Sequence, residues 1–226
     1  MPPSVASGLH EQTSTGAAAR QVPSGIDGDR ERLLEQFNRA VRRPEDFGGL
    51  PAVARLLDGL AATEPQAGDH VWIPDTNARM APSSMLREIL ADPDIHVAAS
   101  QYGEDAHRRG WLRPDRTLTP SEHCVLVDSA ATWSKDDHSL HEITATFGSP
   151  SVTFGSTDPG GPRTLSYVTA DRTAPVVAFH LGSARNGTSA VPSDAPSTRT
   201  ALLAVRISDD FFRGWEVTPR GENYFC

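Results

Sequence analysis

The alternation of apolar and polar positions divides the chain into a structureless start, a helical first half and a strand-rich second half. Residues 1–27 are Ser, Thr, Ala, Gly, Pro and Gln with scattered charge and no period, a composition that cannot offset the entropy of ordering, so a disordered tail is expected. From Asp29 the spacing of Leu33, Leu34, Phe37 and Val41 predicts a helix bounded by Pro44. A second helix from Pro51 carries Val53, Leu56, Leu57 and Leu60, and the short Phe47-Gly48-Gly49 link makes the two a hairpin over 28–65. Residues 69–100 read as strand–helix–strand: His70 to Ile73, then a helix with Met85, Leu86, Ile89 and Leu90 inside, then Ile95 to Ala99 after Asp92-Pro93-Asp94. Residues 101–121 read as a polar loop holding Trp111, followed by a strand from His123 to Val127.

The densest stretch begins at Asp136. Ser139 and Glu142 have capping-box spacing, Leu140, Ile143 and Phe147 form one apolar face, and Gly148 stands where the helix must end. The period then changes to two. Val152 and Phe154 share a face, as do Leu165, Tyr167 and Thr169, while Val176, Ala178 and His180 oppose Val177, Phe179 and Leu181. Because both faces of that last run are apolar, it is expected to be the central strand. The links 158–162 and 171–173 are short and rich in turn formers, which predicts antiparallel hairpins and a meander. A strand from Ala201 to Ile207 and a short one at Trp215 and Val217 complete it, with a disordered loop expected over 182–198 and a flexible tail over 219–226. The predicted class is α+β: one domain over 28–218, with a mainly antiparallel sheet and its helices packed on one face.

Composition narrows the function classes. With 226 residues, 38% of them hydrophobic, the chain can bury a real core. A mean hydropathy of −0.39 and no long apolar run exclude a spanning helix from the reading. The net charge of −8 argues against nucleic acid as a partner, since the only concentrated basic cluster is Arg108, Arg109, Arg113 and Arg116. Cys124 and Cys226 make no disulfide framework and no C-x-x-C, and the first residues lack a leader pattern, so a cytoplasmic location is expected.

Four groups of residues carry candidate chemistry. Asp136, Asp137, His138, His141 and Glu142 place His138 with Glu142, and Asp137 with His141, four apart on a helix, where each pair faces the same way and suits a metal. Plain capping with solvated side chains is the alternative. His180, embedded in the most apolar strand, is either a bonded core histidine or a pocket residue; with Tyr167 and Arg163 it makes the candidate ligand-binding set. Cys124 lies in an apolar run and is expected as a small core residue, while Cys226 is a terminal thiol. Finally, Val71-Trp72-Ile73-Pro74-Asp75-Thr76-Asn77 resembles the opening strand and Asp-Thr-Asn of PIN-type nucleases, and Thr169-Ala170-Asp171-Arg172 resembles that family's late Thr-x-Asp-Arg. The resemblance implies that Asp75 and Asp171 converge on a divalent metal; read by itself, Asp-Thr-Asn after a strand is a plain turn.

No nucleophile elbow, phosphate loop or cofactor fingerprint is present in the sequence. The expected function is therefore a non-catalytic binding or accessory protein, acting through a protein partner or a small ligand at the sheet face or at the loops 158–163 and 108–116. The alternative is a metal-dependent hydrolase or nuclease using Asp75, Asp171 and the Asp136–Glu142 cluster.

Overall fold

The computed structural model describes residues 25–63, 95–158, 160–183, 200–208 and 214–225. The expected tail up to residue 24, the strand and helix over 70–90, most of the 182–198 loop, Asp75 and Cys226 lie outside the described residues. Helix α1, Gly25–Arg42, buries Leu34, Phe37, Ala40 and Val41. After a 3₁₀ turn at Pro44–Phe47, Gly48 takes φ 87° and reverses the chain into α2, Gly49–Ala62, whose Val53, Leu57 and Leu60 pack on the same cluster.

The next two elements depart from the pattern. Ile95–Arg109 is one helix, α3, where a strand was expected at 95–99 and a loop at 101–109. Five residues of Ile-His-Val-Ala-Ala fit either period. Over fifteen, Ala99, Tyr102 and Ala106 recur on a helical face, and the Asp-Pro-Asp before Ile95 suits a helix start as well as a stop. Likewise His123–Val127, expected as a strand, lies inside α4, Pro120–Trp133. Its start signal is a capping box between Thr119 and Glu122 with Pro120 in the first turn. Trp111, expected in a loop, is fully buried beyond the end of α3.

Helix α5, Leu140–Phe147, forms as the pattern predicts, with Ser139 and Glu142 exchanging both capping-box bonds. Then come β1 Val152–Gly155, β2 Arg163–Tyr167, β3 Val176–Ser183, β4 Thr200–Ser208 and β5 Trp215–Val217. The sheet order is β1-β2-β3-β4-β5 with every pair antiparallel, which is the expected meander with β3 at its centre. The fold is thus α+β with a mainly antiparallel sheet. A last helix, α6, Pro219–Phe225, replaces the expected flexible tail: Thr218 Oγ1 accepts from the Gly221 amide at 3.0 Å, Asp137 accepts from the Arg220 amide at 2.8 Å, and Gly221 lies against the Leu203 carbonyl.

Helices cover both faces of the sheet rather than one. Val152 and Phe154 join α1, α2 and α3 in one core, whereas Leu165, Tyr167, Val177, Phe179 and Leu181 join α4 and α5 in another. The apolarity of β3 on both sides is the physical reason, since an uncovered face would leave a row of large side chains in water.

Candidate functional site

The site is built on α4 and the β2–β3 turn. Thr119 Oγ1 accepts from the Glu122 amide at 3.2 Å and Glu122 Oε2 accepts from the Thr119 amide at 2.7 Å, which fixes where α4 begins. These bonds favour the carboxylate and lower the Glu122 pKa. Leu118 bridges Thr169 in parallel, with its amide donating to the Val168 carbonyl at 2.8 Å, so the segment entering α4 is stitched to the end of β2. Further along, His123 Nε2 donates to the Pro175 carbonyl at 2.8 Å and ties α4 to the start of β3. A carbonyl only accepts, so Nε2 carries a proton.

These ties hold the helix and the turn apart over a cleft of about 390 Å³, lined by Leu118, Pro120, Val127, Ala170, Ala174 and Pro175, with His123, Cys124, Asp128, Thr169 and Asp171 supplying polar atoms. Its volume falls in the range of small-ligand sites. Asp171 sits in a turn of its own making: Oδ1 accepts from the Thr173 amide at 2.9 Å and from Thr173 Oγ1 at 2.7 Å, and those bonds lower its pKa. Cys124 is exposed, not the core residue expected, and its Sγ lies 3.6 Å from Asp128 Oδ2. That carboxylate raises the thiol pKa and keeps it protonated. Beside it, Val125 is 66% exposed on the outer side of α4.

The candidate ligand set from the sequence does not converge on this cleft. His180 is 3% exposed, stacked on Trp215 with ring centroids 4.8 Å apart. Thr164 Oγ1 lies 2.9 Å from its Nδ1 and 2.8 Å from Nδ1 of His96, so this one hydroxyl joins two buried imidazoles. Thr164 has a single proton to give, hence at least one ring donates through Nδ1–H. His180 Nε2 has no partner among the described residues. Burial, and behind it the neighbouring His96, push the His180 pKa down to about 3. Tyr167 points to the opposite side of the sheet, with its hydroxyl donating to the Gly148 carbonyl at 3.0 Å and its pKa raised by burial. Arg163 folds back on its own hairpin, bonding the Asp158 and Gly161 carbonyls.

The candidate metal residues are spent on local structure. Glu142 closes the α5 capping box, Asp137 accepts from the Arg220 amide, and His138 lies flat on Trp133 at 3.5 Å while bonded to its carbonyl. His141 is exposed. Among the described residues no three His, Cys, Asp or Glu side chains are grouped to hold a metal. Each arginine of the basic cluster has a carboxylate partner: Arg108 pairs with Glu104, which also pairs with the buried Arg206, Arg109 with Asp105, Arg113 with Glu31 and Arg116 with Glu122. No helix among the described residues is long and apolar enough to cross a membrane.

Sequence reasoning assigned Asp171 to a metal and did not bring Asp128, His123 or the 170–175 turn to one place. The available signal was Thr-Pro-Ser-Glu at 119–122, which would have made 123–127 helical and set Cys124 and Asp128 one turn apart. Comparison with protein-family models, with curated proteins and with solved structures found no match.

Proposed function

We propose that the protein is a non-catalytic binding protein whose small ligand occupies the cleft between α4 and the 169–175 turn. The carrying observation is the cleft itself: about 390 Å³ between two elements tied together at Leu118–Val168 and His123–Pro175, with mainly apolar walls. Such walls reward an apolar ligand body by about 25 cal/mol per Å² removed from water. Several features speak for binding rather than turnover. The Cys124 thiol is held protonated by Asp128, and His123, its neighbour in sequence, projects about 100° away around the helix with Nε2 already committed to Pro175. Asp171 is held ionised by Thr173, which leaves it no proton to deliver as an acid.

A protein partner at the same place is favoured by one observation, the exposure of the neighbouring Val125 and Cys124 on α4. The two readings separate in one experiment. A thermal-shift series with small aryl-alkyl compounds, run on the wild type and on Ala174→Trp, is expected to raise the wild-type Tm and leave the filled-cleft variant unmoved. Equal shifts in both proteins would overturn the cleft reading. Val125→Asp is expected to leave the ligand shift intact; losing it there would move the contact surface to the outer side of α4.

A further inference from the structure

On its mainly apolar walls the cleft's free polar side-chain atoms are hydrogen-bond acceptors. Each side-chain donor on its wall is already used: the Thr169 hydroxyl donates to the Asp171 carbonyl at 2.9 Å, the Cys124 thiol points at Asp128, and His123 Nε2–H at Pro175. What remains is the Asp128 carboxylate and Oδ2 of Asp171, which among the described residues receives no hydrogen bond. Among the described residues no arginine or lysine lines the cleft. An anionic ligand would meet two carboxylates without a donor, and a neutral acceptor would bury its lone pairs unpaired.

From this charge and donor complementarity we infer that the cleft selects an organic cation, a protonated amine on an apolar body, with the ammonium shared between Asp128 and Asp171 and the body laid along Leu118, Val127 and Ala174. A bare metal ion is the poorer occupant, because among the described residues these acceptors form no ligand group of three. An ammonium needs only two or three acceptors and carries its own apolar stem. The inference rests on the cleft being a binding site, and the test separates the two claims.

Three probes of similar size and different charge serve: phenethylamine, 2-phenylethanol and 3-phenylpropanoate, titrated calorimetrically at neutral pH. The amine is expected to bind about tenfold or more tighter than the alcohol, as one charge-assisted hydrogen bond gained implies, with the carboxylate weakest. Asp128→Asn and Asp171→Asn should each reduce amine affinity while leaving the alcohol unchanged; in Asp171→Asn the side-chain amide oxygen can still accept from Thr173, so the turn survives. If alcohol and amine bind alike, and Ala174→Trp abolishes both, the cleft is a ligand site and the cation selectivity is wrong. If Ala174→Trp abolishes neither, or no probe binds, both claims fall.

Discussion

His180 is buried beside a second imidazole, between Thr164, His96 and Trp215, and burial holds it neutral, so its proton affinity is coupled to folding. Its folded pKa of about 3 lies below the unfolded value of 6.5. Between those values the unfolded chain holds the extra proton, and stability therefore falls as pH drops from 6.5 toward 3. This one group contributes a limiting slope of about 1.4 kcal/mol per pH unit. His107, whose pKa is also lowered by burial, adds in the same direction. His180→Asn keeps a hydrogen-bonding group near Thr164 but cannot titrate. Its urea midpoint is expected to change less steeply between about pH 6.5 and about pH 4 than that of the wild type, by about one proton; an unchanged slope would place the titration elsewhere. At this scale the sequence showed that His180 stood in an apolar strand, but not which neighbour would bond it, because Thr164 and His96 come from other elements, one of them 68 residues from the hydroxyl it shares.

Element boundaries explain the rest of what was and was not legible. The meander could be read directly, because alternation over β1 to β4 and turn chemistry at 158–162 and 171–173 agree. Helices α3 and α4 could not be read from five-residue windows, since α4 does not gather its apolar residues on one face and its capping box is the clearest local sign of its true period. That cap gives a prediction: Thr119→Ala removes the Oγ1 acceptor for the Glu122 amide and is expected to cost about 1 kcal/mol, read as a shift in the urea midpoint. Helix α3 makes a second one. Gly103 crosses β1 so closely that a Cβ there would overlap the edge of the Phe154 ring. In an open helix Gly→Ala stabilises by about 0.8–1 kcal/mol. Here overpacking by about 1–3 kcal/mol outweighs that gain, so Gly103→Ala is expected to lower Tm, with part of the loss recovered by adding Phe154→Leu. A Tm raised by Gly103→Ala alone would contradict the contact.

At the scale of the whole molecule, among the described residues, helices cover both faces of the sheet and each arginine of the 108–116 cluster has a carboxylate partner, Arg108 sharing Glu104 with the buried Arg206. Arg163 is bonded to its own hairpin. The cleft at α4 was hidden in the sequence because its walls, 118–128 and 169–175, are joined by long-range bonds such as His123 to Pro175. The central claim is that this cleft is where the protein binds. The most direct test is an amide chemical-shift titration of the uniformly ¹⁵N-labelled chain with phenethylamine. The account predicts saturable shifts concentrated on residues 118–128 and 169–175; shifts centred on the Asp158–Arg163 hairpin, spread without a focus, or absent at saturating probe would contradict it.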